Sequence, residues 1–553
     1  MTIKSFINRY SSQLMALAVL VALFLFWFVG YPQALNYQEE NQLFLFSTDY
    51  FLSRIAVAGG LADWISEFIV QFYYLPWLGA LALALLGVAV QRLTLAVVSH
   101  HASETWTLLI LSLLPVVLLT GVMGNENVLL SYEVALVMVL AATLGLRRIS
   151  WWGDIVIVPL LYWLAGPMTV LYALLRIADN WRKEWWTILW FFAVELMAYA
   201  FILDEYPLKE VLLGINYYRI PLVLDTPCTL WIVPAVVVLL AVLGKRNNLT
   251  DWLGRKWIAA CACLIVAVAA VVSAKCWYPK DRYELLMQDW LVREGRWQDV
   301  IDRAEKYQVR TTFSSNAVNL ALAMTGQLAD RQFEFYQDGP SALIMPSVRD
   351  NFSNLPSAEA FYHLGMINSA KRYMYDIQES ILNGRKSGRC MKRIAECFII
   401  NGQYKVAKKY LDVLKQTLFY RSWAENAERC LYDDAKINAN PEWGYLRRVR
   451  YKKNYMYDYG QMDKLLGLLV VNNNDNKMDL DYYMDQLLLN VNIRDFMNYV
   501  GWVMQQRGYV QLPAGYQDAV RCIQSHGTAP GSVYAGYVKT RVMSNSNGVN
   551  DKQ

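Results

Sequence analysis

Histidine, paired cysteine and clustered charge are scarce in this chain of 553 residues, and each scarcity excludes a class of chemistry. Four histidines leave little for a nitrogen-ligated metal centre. His100-His101 has no third ligand nearby in sequence, and His363 and His526 stand alone. The eight cysteines contain no Cys-x-x-Cys pair. Cys261 and Cys263 are too closely spaced for a zinc pair and sit in an apolar run. Cys390 and Cys397 would lie about two turns apart on one helix face, too far for a disulfide. The cysteines therefore read as free or structural, with Cys430 and Cys522 open to pairing in an oxidising compartment. Charged residues make up only 18%, and the net charge of +5 is small and unclustered, which argues against a nucleic-acid partner. There is no nucleophile elbow, zinc-protease motif or dinucleotide fingerprint. Gly59-Gly60 lacks a phosphate-loop lysine and reads as a turn before a helix over Leu61 to Phe72.

Apolar residues, at 56%, are what the chain has in abundance, and they are unevenly spread. Before about residue 277 long apolar runs dominate; after it the composition is that of an ordinary water-exposed domain. Leu14 to Gly30 is uncharged, follows Lys4 and Arg9, and lacks a small-residue cleavage site, so it reads as a retained signal-anchor helix. Further spans are expected over Tyr73 to Val90, Trp106 to Met123, Val128 to Leu146, Trp185 to Leu203, Leu222 to Leu243 and Trp257 to Ala274. Pro115 within one of them is tolerable where neighbouring helices satisfy the freed carbonyl. Trp151 to Ala178 is two short apolar halves meeting at Gly166-Pro167, a hairpin or a re-entrant loop that returns to its starting side. The total is seven or nine crossings.

Lys4, Arg9, Arg92, Arg147, Arg148, Arg176, Arg182, Lys183, Lys245, Arg246, Arg255 and Lys256 fall on one side of that layout, and only Arg54, Lys209 and Arg219 in the opposite short loops. The positive-inside rule then places the N-terminus in the cytoplasm and everything after about Lys275 outside it. Two acids lie within the apolar runs: Glu133, close enough to the outer end to reach the surface, and Glu195 at mid-span, expected to face inward.

The second half reads as helices separated by glycine turns at Gly295, Gly326, Gly402 and Gly460. Gly402-Gln-Tyr-Lys-Val-Ala407, with the residues after it, resembles the turn and second helix of a tetratricopeptide repeat. Stacked helix pairs of that kind offer a concave surface for peptides or partner proteins. The Ser-, Asn- and Gly-rich tail, 525–553, is expected to be disordered.

Tyr31 to Trp77 stands apart from a plain linker. It holds Glu39, Glu40, Asp49, Asp63 and Glu67 against the single base Arg54, interleaved with aromatics from Phe44 to Tyr73. The pattern reads as amphipathic pieces along a membrane face. Adjacent carboxylates near a dry boundary suit a general base or a hard-cation site; the plainer reading of Glu39-Glu40 is a solvated acidic loop.

A first helix leading outward, an acid soon after it, amphipathic helices on the outer face, many spans and a C-terminal outer domain together resemble the GT-C glycosyltransferases, which use lipid-phosphate sugar donors. The layout is similar to mannosyltransferases of that class that carry tetratricopeptide repeats. The resemblance implies a catalytic acid at Glu39 or Glu40 and a second at Glu126, in Gly121-Val-Met-Gly-Asn-Glu-Asn127. The stretches YQEENQLF and GGLADWISEF also resemble uncharacterised bacterial polytopic membrane proteins. Lys209 and Arg219 are candidates to hold a lipid diphosphate, although bases at a membrane face more often snorkel to headgroups.

The expected architecture is all-α: a polytopic transmembrane helix bundle over 1–276, with an amphipathic outer loop at 31–72, then an extracytoplasmic TPR-like helical-repeat domain over 277–524. The expected setting is the inner membrane of a bacterial envelope, with the bilayer as a partner. Three functions fit: a lipid-donor glycosyltransferase acting on a lipid-linked sugar, with a divalent cation as its one candidate cofactor; a non-enzymatic platform whose repeats dock an envelope protein; or a transporter, suggested by the broken Trp151 to Ala178 segment.

Overall fold

The computed structural model describes the chain except for residues 1–2, 100–104, 202–206, 214–226, 246–254, 382–383, 454–458, 473–475, 508–509 and 551–553. Among the described residues there is no strand; the fold is all-α. Two compact units emerge. One comprises Met1–Tyr283 together with Leu382–Lys386 and Gln416–Phe419; the other comprises Glu284–Ile381, Ser387–Lys415 and Tyr420–Gln553.

The first unit opens with α1 (Ile3–Leu25), then α2 (Pro32–Glu40), α3 (Thr48–Ile55), α4 (Gly60–Val70), α5 (Pro76–Ser99), α6 (Trp106–Leu111), α7 (Leu114–Val122) and α8 (Ser131–Gly145). It continues through α9 (Asp154–Ala165), α10 (Thr169–Glu184) and α11 (Trp186–Phe201) to the apolar helices Ile232–Lys245 and Lys256–Cys276. Pro115 falls at the start of α7, where its missing N–H costs no helical bond, so the run breaks into two helices there. α5 forms the centre: α1, α7, α8 and Ile232–Lys245 all pack on it. Its Gln91 donates to the Ser112 hydroxyl at 2.8 Å, a buried polar tie at the end of α6.

By length and composition, four stretches are able to cross a membrane: Ser11–Gly30, Pro76–Ser99, Asp154–Glu184 and Lys256–Cys276. The third is not straight. The Asp154 carboxylate, at the start of α9, accepts from Tyr172 at 2.6 Å and from Arg176 at 2.8 and 2.9 Å, both on α10. The chain therefore doubles back at Gly166, where φ is +68°, and the segment is a hairpin. Twelve residues of α9 reach only about 18 Å, short of a hydrocarbon core of about 30 Å. Glu133 is buried on α8 and does not reach the surface as expected, because α8 is packed by α4, α5 and α10. Glu195 is buried on α11, and neither carboxylate oxygen has a hydrogen-bond partner among the described residues.

In the second unit, consecutive helices pack each on the next. Leu355–His363 lies on Ile367–Glu379, that on Gly388–Ile400, that on Tyr404–Leu414, and that on Arg421–Glu428. One closure recurs at their ends. Gly295, Gly326, Gly365 and Gly402 have φ between +65° and +77°. The N–H following each glycine donates to a carbonyl five residues back: Arg296 to Leu291, Gln327 to Leu322, Met366 to Phe361 and Gln403 to Phe398, at 2.7–2.9 Å. This is the Schellman closure, which needs a left-handed residue that glycine adopts without strain. Gly460 differs from the expected pattern; it lies in a short 3₁₀ turn, Tyr459–Gln461, that leads into the next helix.

Several charges buried between these helices are paired. Arg389 meets Asp289 at 3.0 Å, and Arg393 meets Glu359 at 2.8 Å while lying 3.7 Å over the Tyr362 ring. Burial alone would raise Glu359, but Arg393 and Arg389 hold it below the ordinary carboxylate range. Burial pushes the Cys397 thiol up to about 12, so it is inert, and Cys261, Cys263, Cys276, Cys390, Cys397, Cys430 and Cys522 are free thiols. The tail departs from the expected disorder. Val533–Asn550 is helical, and Tyr534 and Tyr537 pack on Phe333, so two aromatics supply the burial that its polar composition does not.

Ala407 is fully buried one turn into Tyr404–Leu414. Ala407→Asp would place an unpaired carboxylate there and is expected to cost about 3 kcal/mol or more. Thermal unfolding of the purified chain tests this: its transition should fall by many degrees, whereas Lys409→Asp, at an exposed site on the same helix, should leave it nearly unchanged.

Candidate functional site

α2 begins at Pro32, whose fixed φ suits the first helical position, and all nine of its residues are buried. Its polar side chains bolt it to the turn after α7. Gln38 donates to the backbone carbonyls of Glu126 and Val128, both at 2.7 Å, and Tyr37 donates to the Asn127 side chain at 3.1 Å. The helix bearing Glu39-Glu40 and the turn bearing Glu126 are thus brought together from positions some 90 residues apart. Glu39 and Glu40 are 4% and 5% exposed, so the solvated-loop reading does not hold. The Glu126 carboxylate accepts from Arg282 at 2.6 Å, and the Arg282 guanidinium lies 5.6 Å over the Tyr37 ring. Tyr31, Tyr278 and Tyr283 pack against one another, tilted or edge-on, and the Tyr283 hydroxyl donates to the Gly124 carbonyl at 2.7 Å.

A second charged cluster lies on α3 and α4. Ser47 caps α3 by accepting from the Tyr50 N–H. Gly59, at φ +80°, turns the chain into α4. At Gly60 any Cβ would sit 1.9 Å from the Arg54 carbonyl oxygen, so only glycine allows the two helix ends to approach this closely. Glu67, whose side chain is fully buried, is held between two guanidiniums. Arg54 Nε donates to one oxygen at 2.9 Å and Arg385 Nε to the other at 3.0 Å, and the Tyr50 hydroxyl adds a short hydrogen bond. Arg385 also reaches Asp63 at 2.6 Å. Burial and the neighbouring Asp63 push the Glu67 carboxyl above its ordinary range, while Arg54, Arg385 and Tyr50 favour its ionised form.

The backbone ties the same strand of chain down. The Leu43 N–H donates to the Lys386 carbonyl at 2.9 Å, and the Phe46 N–H to the Gln416 carbonyl at 2.8 Å. Phe44 is ringed edge-on by Phe46, Tyr50, Trp64 and Phe68, and Tyr74 stacks on Phe419. The acids and aromatics that single out Tyr31 to Trp77 are therefore largely turned inward, onto one another and onto residues contributed from far along the chain.

Of the remaining candidates, Lys209 sits on the short helix Leu208–Leu213, and Arg219 lies outside the described residues, as does His101. No group of three or more His, Cys, Asp or Glu able to hold a metal occurs among the described residues. Arg282 and Arg385, which pair with the candidate acids, carry no signal in their local sequence.

The model of a family of unknown function, DUF6057, matches residues 7–547, nearly the whole chain. The chain belongs to that family. The DUF6057 match runs through both charged clusters and both units. No curated protein and no solved structure matches the chain.

Removing Arg385 would leave the buried Glu67 and the half-buried Asp63 with one base between them. Arg385→Met is expected to destabilise by about 3 kcal/mol or more, the usual cost of breaking one side of a buried pair. Adding Glu67→Gln to it should recover part of that loss. A double-mutant cycle on thermal unfolding checks the coupling; strict additivity would show that the pair is energetically idle.

Proposed function

We propose that the protein is a multi-pass membrane platform of the bacterial envelope, with a TPR-like second unit that docks another envelope protein outside the cytoplasm. The observation that carries this reading is the sequential stack from Leu355 to Glu428, in which each helix packs on the next. Such a stack presents a continuous surface built from nearest-neighbour contacts. Membrane residence is supported by wide apolar faces left exposed on two helices. On the first, Leu17, Val21, Leu25 and Val29 are exposed; on the other, Leu264, Ile265, Val268 and Val271 are. Surfaces of this kind are rarely left to water. The engaged acids of the two outer stretches support a structural role: Glu126 is held by Arg282 and Glu67 by Arg54 and Arg385.

One observation favours a second reading, a GT-C-like transferase using a lipid-phosphate sugar. α2 is docked on the turn of Glu126, so the acids that the resemblance makes catalytic, Glu39 or Glu40 with Glu126, come from neighbouring segments. In that reading Lys209 and Arg219 would hold the diphosphate, and a divalent ion would be the cofactor.

Genetic complementation separates the two. Under the platform reading, a Glu39→Gln/Glu40→Gln strain should match wild type. Under the transferase reading the double variant should behave like the deletion and accumulate a lipid-linked sugar or its acceptor. Loss of a general base alone would lower the rate by about 10²–10⁴.

The orientation is tested separately. A reporter active only in the cytoplasm, fused after Gln553, is expected to be silent, because the basic residues gather on the opposite side. A strong signal there would overturn the layout.

A further inference from the structure

At the foot of the α9–α10 hairpin is a pocket of about 860 Å³, lined by the end of α8, the 147–150 turn and the last turns of α10. Four bases face it, Arg147, Arg148, Arg176 and Lys183, against the acids Asp179 and Glu184. The acids are already engaged. Asp179 is bound by Arg147 at 2.7 Å, and Arg176, held mainly by Asp154, also reaches Glu184 at 3.3 Å. Arg176 further donates to the Ile149 carbonyl at 3.1 Å, which fixes the turn as one wall. Arg148 and Lys183 are exposed and have no ion-pair partner within 4.0 Å among the described residues.

The helix itself is broken here. Asn180 has φ −152° and ψ 81° inside α10 and offers its exposed amide to the pocket. Carbonyls at the break are not left over as acceptors, because Lys245 donates to those of Ala178, at 2.9 Å, and Asp179. What the pocket presents is therefore donors and positive charge. Around it Trp152, Trp181 and Trp185 are more than half exposed, the placement that indoles take at a bilayer–water boundary.

We infer that this pocket is a binding site for a phosphate-bearing anion, with Arg148 and Lys183 as its principal charged contacts and the Asn180 amide as a further donor. Guanidinium and ammonium groups are the usual partners of phosphate oxygens. Basic pockets between membrane helices on the cytoplasmic side hold acidic headgroups. A phospholipid headgroup and a soluble phosphate share this chemistry. The lipid source rests on the membrane reading proposed above; the anion site does not.

The test uses the purified full-length protein in detergent. Native mass spectrometry would measure retention of phosphatidylglycerol against phosphatidylcholine, and titration calorimetry would measure binding of inorganic phosphate. The comparison is between wild type, Arg148→Gln/Lys183→Gln, and Arg255→Gln, a base at the start of Lys256–Cys276 outside this pocket. Both altered side chains of the double variant are exposed, so its elution and melting should match wild type. Preferential retention of phosphatidylglycerol that falls about tenfold in the double variant alone supports the site and identifies a headgroup. Phosphate binding lost in the double variant, without lipid preference, supports the site and identifies a soluble anion. Binding of neither probe overturns the inference, as does binding unchanged in the double variant or equally weakened by Arg255→Gln. A carbonate wash of membranes reads the membrane assignment independently: release of the chain would sink that reading and leave the phosphate result standing.

Discussion

A fully buried carboxylate between two guanidiniums is the interaction on which the first unit turns. Glu67 cannot be left alone in a dry interior, where an isolated charge costs several kcal/mol. Its partners fix the geometry around it. Arg54 orients the end of α3, and Tyr50 adds a second donor to the oxygen that Arg54 holds. Arg385 links α4 to a segment contributed by the second half of the chain. The aromatic shell of Phe44, Trp64 and Phe68 then excludes water and sharpens the electrostatics that hold the cluster. Polarity in this stretch serves assembly, which is why acids and aromatics alternate so densely there.

Much of the architecture was legible because it follows from local chemistry. Apolar runs, glycine turns and the doubling-back at Gly166-Pro167 are properties of a few consecutive residues, and helices, Schellman closures and a hairpin appear where those properties lie. Gly365 makes the same closure as Gly402 without a legible signal; His-Leu-Gly-Met lacks the polar turn flavour of the other sites, yet the turn still requires an αL residue. The tail is helical against its composition because composition averages over residues, whereas two tyrosines at the right spacing are enough to dock a helix.

The charged sites were legible by half. Glu39, Glu40, Glu126, Asp63 and Glu67 stood out as acids in an apolar neighbourhood. Their burial and their partners did not, since Arg282 lies 156 residues from Glu126 and Arg385 lies 318 from Glu67. No periodicity or spacing encodes such a pairing; only the folded chain brings the charges together. The same limit applies to the anion pocket, whose bases read simply as a cytoplasmic fringe until the Asp154–Arg176 clamp folds them around one cavity.

The distance between Glu67 and Arg385 also sets a timetable. With 318 residues separating them, a ribosome working at about 5–20 residues per second needs roughly 15–60 s to supply the second guanidinium after the carboxylate has been made. Throughout that interval α3 and α4 exist without the base that lets Glu67 be dry. The nascent first half must therefore keep this carboxyl hydrated or protonated and its Phe44 shell unsealed. The cluster is thereby held open until the segment bearing Arg385 has been synthesised, and arrival of that segment becomes the event that closes it.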